Sequence, residues 1–352
     1  MNRKLKGSWS AGVAVSLSTL LFLSACSSGG TGTSGAAAGG DEELPLVAVS
    51  MPVIPPNFVM VMPWVAQEMG YYEEFGITVD IVSLDSGVTA LRGAEAGSAD
   101  IAAVPTPTLI NAVGQGGTVK GFYTYSAQLD VQMIVGPEIN SCEDLRGKVV
   151  GVDEVGGFAE VLTKKFYTSC GLTQDDVIYG NFPGAEGQAI AQGQAVSGVL
   201  HIDEAAAVIE QYPDAGLKSL VDLWDVVPDW HYAGFAAPQS ILDERRDEII
   251  AFTAANIMAK EFMEDTKNKD AVLDIAEEVT GVSRAILSET YDVFIASGLF
   301  PAGNGYPEAM VTYTADQQVE LGNLEADKKP SYEDVVDPSI YDAARALVDA
   351  RS

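Results

Sequence analysis

Residues 77–104 read ITVDIVSLDSGVTALRGAEAGSADIAAV. Ile77 to Ser83 alternates apolar and polar side chains, the two-residue period of a strand. Val88 to Ala96 has helical spacing and is closed by Gly97, a common helix exit. Asp100 to Val104 is again a short apolar strand. Strand, helix and strand joined by short connections are the repeating unit of an α/β lobe with a largely parallel sheet. The same rhythm extends outward. Leu44 to Ser50 reads as a buried strand and Pro63 to Met69 as a helix ending at Gly70. Pro105-Thr106-Pro107 reads as a turn, Thr108 to Gly114 as a helix and Val119 to Tyr125 as a strand.

The rhythm then restarts. Strands are expected at 131–135, 148–153, 177–182 and 198–202, with 217–223 leading to a return segment at 230–236. A helical turn is expected at 142–145, and helices at 157–169, 185–195 and 205–211. From Gln239 the pattern is helical, at 241–262, 269–280, 283–297, 315–321 and 340–350. The expected class is α/β: two α/β lobes with mixed, mostly parallel sheets around a ligand cleft, followed by a helical C-terminal tail. The expected division is 44–127 with 234–352 for lobe 1 and 128–233 for lobe 2, after a leader (1–25) and a tether (26–43). In open α/β sheets ligands sit beyond the carboxyl ends of the strands, and two facing lobes can close about a hinge.

The leader carries its own chemistry. Arg3, Lys4 and Lys6 precede an apolar run from Ala11 to Leu23, and Leu23-Ser24-Ala25-Cys26 follows. A basic start, an apolar core of about 13 residues and small residues before a cut mark an export signal, too short for the ~20 residues of a membrane span. The segment resembles the lipobox of bacterial lipoproteins. That resemblance implies cleavage before Cys26, acylation of its thiol and a protein anchored by lipid to the outer face of the cell membrane. The alternative is an ordinary secretory leader with an incidental cysteine. Ser27 to Gly40 is nearly all Ser, Gly, Thr and Ala, the composition of a flexible tether.

The chain has 50 acidic and 20 basic residues, a formal charge of −30. Nucleic acid and anionic membrane surfaces are poor partners for such a chain. The acidity fits a solubilising surface, salt adaptation, or a field that favours cations.

Four motifs carry a further resemblance. Residues 69–77 (MGYYEEFGI) lead into the second strand. Residues 94–101 (AEAGSADI) form a helix-to-strand turn. Residues 143–152 (EDLRGKVVGV) open the second lobe, and residues 193–199 (GQAVSGV) carry Ser197 where an Asp is usual. Together they resemble the substrate-binding lipoproteins of ABC importers in the nitrate/taurine/pyrimidine-precursor group, the NMT1/THI5-like family, over roughly residues 44–300. The resemblance implies a periplasmic-binding-protein-like fold, a small-molecule ligand, permease and ATPase partners, a monomer, no cofactor and no catalysis. The glycines at 70, 76, 97 and 147 stand where positive φ is expected. Asp100 is expected to accept N–H groups of its own preceding turn.

The candidate ligand residues lie just past strand ends: Pro52, Asn57, Phe58, Asp85, Ser86, Thr106 and Tyr125 on one lobe, and Gly157, Phe158, His201, Asp203 and Glu204 on the other. Trp230 and Tyr232 of the return segment complete the set. Each aromatic alone is compatible with core packing. Gly156-Gly157 before a helix is either a tight turn or an anion site. No Lys or Arg lies in these loops, which argues against nitrate, sulfonate or taurine. A neutral or cationic aromatic molecule fits better, a pyrimidine-like heterocycle first, with carboxylates pairing donors and rings stacking. A pyrimidine-precursor synthase on the same fold is the enzymatic alternative. The chain, however, has only two histidines and no cysteine-rich motif. A metal-binding or sensor lipoprotein at His201, Asp203 and Glu204 is a third reading; one histidine with two carboxylates is a poor metal set.

Cys142 and Cys170 remain, in an oxidising compartment. A strand out and a helix back nearly cancel in length, so both should reach one edge of the second lobe, away from the cleft, and form a disulfide. Two separate buried thiols are the alternative.

Overall fold

The computed structural model describes residues 43–154 and 156–351. The leader, Cys26 and almost all of the tether lie outside these residues. Ten strands form two five-stranded sheets. The first sheet contains β1 (Leu46–Met51), β2 (Thr78–Ser83), β3 (Ile101–Pro105) and β4 (Val119–Ser126). The second contains β5 (Val131–Val135), β6 (Val149–Val152), β7 (Ile178–Asn181), β8 (Ser197–His201) and β9 (Lys218–Asp222). The chain then returns to the first sheet as β10 (Ala233–Pro238).

Strand order is β2-β1-β3-β10-β4 in the first sheet and β7-β6-β8-β5-β9 in the second. β1 runs parallel to β2 and β3, while β10 is antiparallel to β3 and β4. β6 runs parallel to β7 and β8, while β5 is antiparallel to β8 and β9. β3 and β8 are buried along their whole length, and in β3 this shows as an apolar run without alternation. β2 is an edge strand and alternates in exposure, matching the pattern of 77–83.

The chain passes between the sheets only twice among the described residues, at 127–130 and at 223–232. Both crossovers are fixed to each other and to the first sheet. Tyr232 donates its backbone N–H to Ala127 O (3.0 Å), and Thr106 N–H donates to Tyr232 O (2.8 Å). Tyr306 lies against this region and stacks on His231, with centroids 4.6 Å apart. Its approach requires glycine at 234: a Cβ there would lie 2.2 Å from the Tyr306 hydroxyl.

Several boundaries differ from the sequence reading. Pro105-Thr106-Pro107 is not a free turn. The helix starts at Thr106, with Pro107 in its first turn where a missing N–H costs nothing. The helix expected from 205 begins at Ile202, because Glu204 reaches back to the His201 N–H (3.4 Å). The 241–262 helix is two, Gln239–Glu244 and Arg246–Glu264, broken at Arg245. The 185–195 helix stops at Ala191, and the 315–321 helix starts earlier, at Glu308. Gly70, Gly76, Gly97 and Gly147 all have positive φ. Asp100 does not cap its own turn. It accepts the Ala48 N–H of β1 (2.8 Å) and pairs with Arg245 (2.7 Å), joining β1 to the break between the helices Gln239–Glu244 and Arg246–Glu264.

Cys142 and Cys170 are bonded, with Cα atoms 6.2 Å apart. They join the 3-10 turn before β6 to the end of the helix Phe158–Ser169, the end remote from residues 156–158.

Candidate functional site

The ends of β1, β3, β6 and β8 meet in a buried seam between the sheets. Its centre is a chain of polar side chains. His201 ends β8, and its Nδ1 lies 2.8 Å from Asp130 Oδ1 in the first crossover. Its Nε2 lies 3.2 Å from the Tyr232 hydroxyl in the second crossover. Phe158 covers both rings, stacked on His201 at 6.2 Å and tilted on Tyr232 at 4.9 Å. Tyr125 stands edge-on to Tyr232 at 6.0 Å.

Asp203, in the first turn after β8, crosses the seam. Its Oδ2 accepts the Phe58 N–H (2.8 Å), which holds the loop after β1. Phe58 in turn packs edge-on to Phe294 at 5.1 Å. Ser86 caps the helix Gly87–Glu95 and also donates to Glu154, beyond the end of β6. Arg92 approaches the same carboxylate at 3.7 Å.

The polar atoms of the seam are not all satisfied. Asn57 Nδ2, the Tyr125 hydroxyl, Asp130 Oδ2, Asp203 Oδ1 and Trp230 Nε1 are buried without a hydrogen-bond partner among the described residues. Leaving such a group unpaired costs roughly 1–3 kcal/mol. The unpaired groups on Asn57, Tyr125, Asp130 and Asp203 lie in the seam, where a ligand can supply the missing partners, while others, on Asn111, Thr163, Ser197, Asn256, Tyr306, Gln317 and Gln318, lie elsewhere in the fold. Two cavities lie beside the seam, between helices and loops of both halves, and neither is lined by Asp130, Phe158, His201, Asp203 or Tyr232. One of about 520 Å³ is lined by Arg92, Asn111, Gly156, Glu160 and Asn323. The other, of about 150 Å³, is lined by Pro55, Asn57, Gly184 and Glu204.

Burial and like charges set the titration of the site. Burial raises the Glu186 carboxyl, Glu204 adds to this, and the result is about 8. Burial likewise lifts Glu204 to about 7, although His201 opposes it, and raises Asp203. Burial pushes Asp153 to about 6. Burial alone would lower the His201 pKa. The charge and hydrogen bond of Asp130, with Glu204 and Asp203 nearby, overcome it and raise the imidazole to about 9.

The start of the helix Phe158–Ser169 is occupied by the chain's own carboxylates. Glu160 accepts the Gly156 N–H and Asp153 accepts the Ala159 N–H (3.3 Å). A Cβ on Gly157 would lie 2.7 Å from Asp153 Oδ1, so glycine lets that carboxylate in. The amides proposed for an anion therefore already face acids.

Of the residues read from the sequence, Asn57, Phe58, Tyr125, Phe158, His201, Asp203 and Tyr232 come together, with Gly157 and Glu204 at the margin. Pro52 is buried at the end of β1. Ser86 serves as a helix cap and a contact to Glu154. Thr106 bonds to the other histidine, His231 Nδ1, at 2.7 Å. Trp230 is wholly enclosed in the core. Asp85 is exposed and does not join them. Asp130, Asp153, Glu154, Glu160 and Glu186 were missed. Each is one acid in a strongly acidic chain, and only the crossover and loop geometry singles it out. Both His201 ring nitrogens are engaged, and no group of three His, Cys, Asp or Glu side chains among the described residues is arranged to hold a metal ion.

Two sheets exchanged through two crossovers, with polar groups gathered between the strand ends, define a periplasmic-binding-protein fold. The NMT1/THI5-like family profile matches residues 57–266, and the chain belongs to that family. The fold is similar to that of the periplasmic nitrate-binding protein of Synechocystis PCC 6803, at TM-score 0.71 and 14% identity over 87% of this chain and 89% of that one. It is similar to a zinc-bound ligand-binding component of an ABC-type import system from Staphylococcus aureus, at 0.70 and 13% over 85% and 99%. It is also similar to the alkanesulfonate-binding protein of Xanthomonas axonopodis pv. citri, at 0.68 and 14% over 83% and 98%. No curated protein matches it in sequence.

Proposed function

We propose that this protein is the solute-binding component of an ABC-type importer. It captures a small organic molecule between its two sheets and delivers it to a permease and its ATPase. The observation that carries the reading is the set of buried, unpaired polar atoms at the facing strand ends. Family membership and the fold support it. The sheets serve as two lobes and the crossovers at 127–130 and 223–232 as their hinge.

The solute is a neutral or cationic aromatic molecule, of the size and polarity of a pyrimidine. Unpaired carboxylate oxygens on Asp130 and Asp203 call for N–H donors, and Phe158, Tyr125 and Tyr232 offer ring faces and edges. Nitrate and sulfonate, which structural neighbours carry in their names, fit poorly. The seam loops contain no Lys or Arg, and the helix start that could hold an anion faces Glu160 and Asp153. Cleavage before Cys26 and lipid attachment there would hold a monomer on the outer face of the membrane, with a tether of Ser, Gly, Thr and Ala up to about residue 40.

Binding without turnover is tested by incubating the purified protein with a panel of heterocycles. Melting temperature is recorded and the solute recovered for mass analysis. A solute that raises the melting temperature and returns unchanged supports the reading. A solute returned chemically altered would favour the synthase alternative instead. At 100 times its Kd a ligand adds about 2.7 kcal/mol of stability, enough to see in such a melt.

A further inference from the structure

The chain contains two histidines, and the fold holds them in contrasting surroundings. His231 is fully buried. Its Nε2 lies 2.7 Å from the carbonyl of Gly305, which can only accept, so Nε2 carries the proton. Its Nδ1 then accepts from the Thr106 hydroxyl at 2.7 Å. Every bond is satisfied by a neutral ring with no acid in contact, and burial lowers its pKa to about 4.

His201 meets the opposite set. Asp130 from the first crossover faces Nδ1, and Tyr232 from the second faces Nε2. Asp203 and Glu204 lie on the helix that follows it, the Phe158 ring covers it, and Tyr125 flanks Tyr232. The charge on this ring decides what Tyr232 offers. With a neutral ring protonated at Nδ1, Nε2 is an acceptor. The Tyr232 proton is then spent on it, leaving the phenol oxygen only able to accept. With an imidazolium, Nε2–H donates to the phenol oxygen, and the Tyr232 O–H is free to donate to something else.

We propose that Asp130 is a positioning residue of the solute site: by holding His201 as an imidazolium it makes Tyr232 a fixed hydrogen-bond donor, and the site selects solutes that present an acceptor atom to Tyr232. A carbonyl or ring nitrogen is such an acceptor. This rests on the solute-binding reading above and narrows it to a class of ligand. Asp130 acts through His201. Both crossovers contribute, so the donor is assembled only when both run in this arrangement.

The test uses the purified protein without added ligand. Two histidines give two sets of imidazole ¹⁵N signals, and His231 serves as an internal neutral standard. In the wild type, His201 is expected to show the imidazolium pattern at pH 7.5 and to lose it only near pH 9, while His231 stays neutral. Asp130→Asn keeps the shape and removes the charge. Its His201 should be neutral at pH 7.5. A neutral His201 in the wild type at pH 7.5 overturns the proposal, whatever the variant does. In a second arm cytosine, which offers both an acceptor and an amino group, is titrated by calorimetry at pH 7.5. Asp130→Asn should bind it about tenfold more weakly, and equal affinity also overturns the proposal. If cytosine fails to bind the wild type, the pyrimidine reading falls, and the histidine spectra alone decide the role of Asp130.

Discussion

Replacing Glu186 by Gln should remove a large part of the pH dependence of stability. Glu186 begins the helix Glu186–Ala191 and is only 5% exposed. Its carboxyl rises from 4.5 to about 8 through burial, with Glu204 and Asp153 adding repulsion. Between those values the folded protein holds a proton that the unfolded chain releases. The contribution of this group to stability is therefore complete below pH 4.5 and is lost as pH rises through about 8. At about 1.4 kcal/mol per pH unit, the loss between pH 5 and pH 8 is on the order of 3–4 kcal/mol. Gln has nearly the same shape and does not ionise. Urea unfolding at pH 5 and pH 8, with wild type and Glu186→Gln side by side, measures the difference. The variant should lose less stability over this interval by about that amount, and so gain on the wild type at pH 8. Parallel curves for the two proteins would refute the reasoning, because Glu186 would then be ionised in the fold at no cost.

Two further outcomes follow from the covalent chemistry. The disulfide spans a sequence separation of 28 residues, so the double variant Cys142→Ser, Cys170→Ser should lose about 3–4 kcal/mol in the chain-entropy account. Equal urea midpoints for reduced and oxidised wild type would contradict this. Cys26→Ala should shift the protein from the membrane fraction to the soluble fraction or leave an uncut precursor; unchanged membrane attachment would remove lipidation at Cys26 from the account.

The architecture was legible because short, strongly patterned elements carry it. The alternation in 77–83 and the uninterrupted apolar run of β3 report directly which faces are covered. The disulfide was legible because a strand and a helix of matched length fix where both cysteines end. Boundaries were less so where long-range contacts decide. The helix from Ile202 starts early through Glu204, and Asp100 serves β1 and Arg245. The aromatic and histidine members of the seam could be read because they sit just past strand ends. Asp130 could not, since its role comes from a contact with His201 across 71 positions. Nor could the filling of the Gly156–Gly157 helix start, because Asp153 and Glu160 are close in sequence to an apparent anion site that they themselves occupy.

A seam whose loops carry no Lys or Arg, and whose histidine His201 is already paired with Asp130, should take a nitrogen heterocycle and not an oxyanion. Calorimetric titration of the purified protein at low salt with cytosine, nitrate and taurine tests it most directly. The account predicts saturable heat with cytosine and none with nitrate or taurine. Tight binding of nitrate or taurine, with no heat from cytosine, would contradict it.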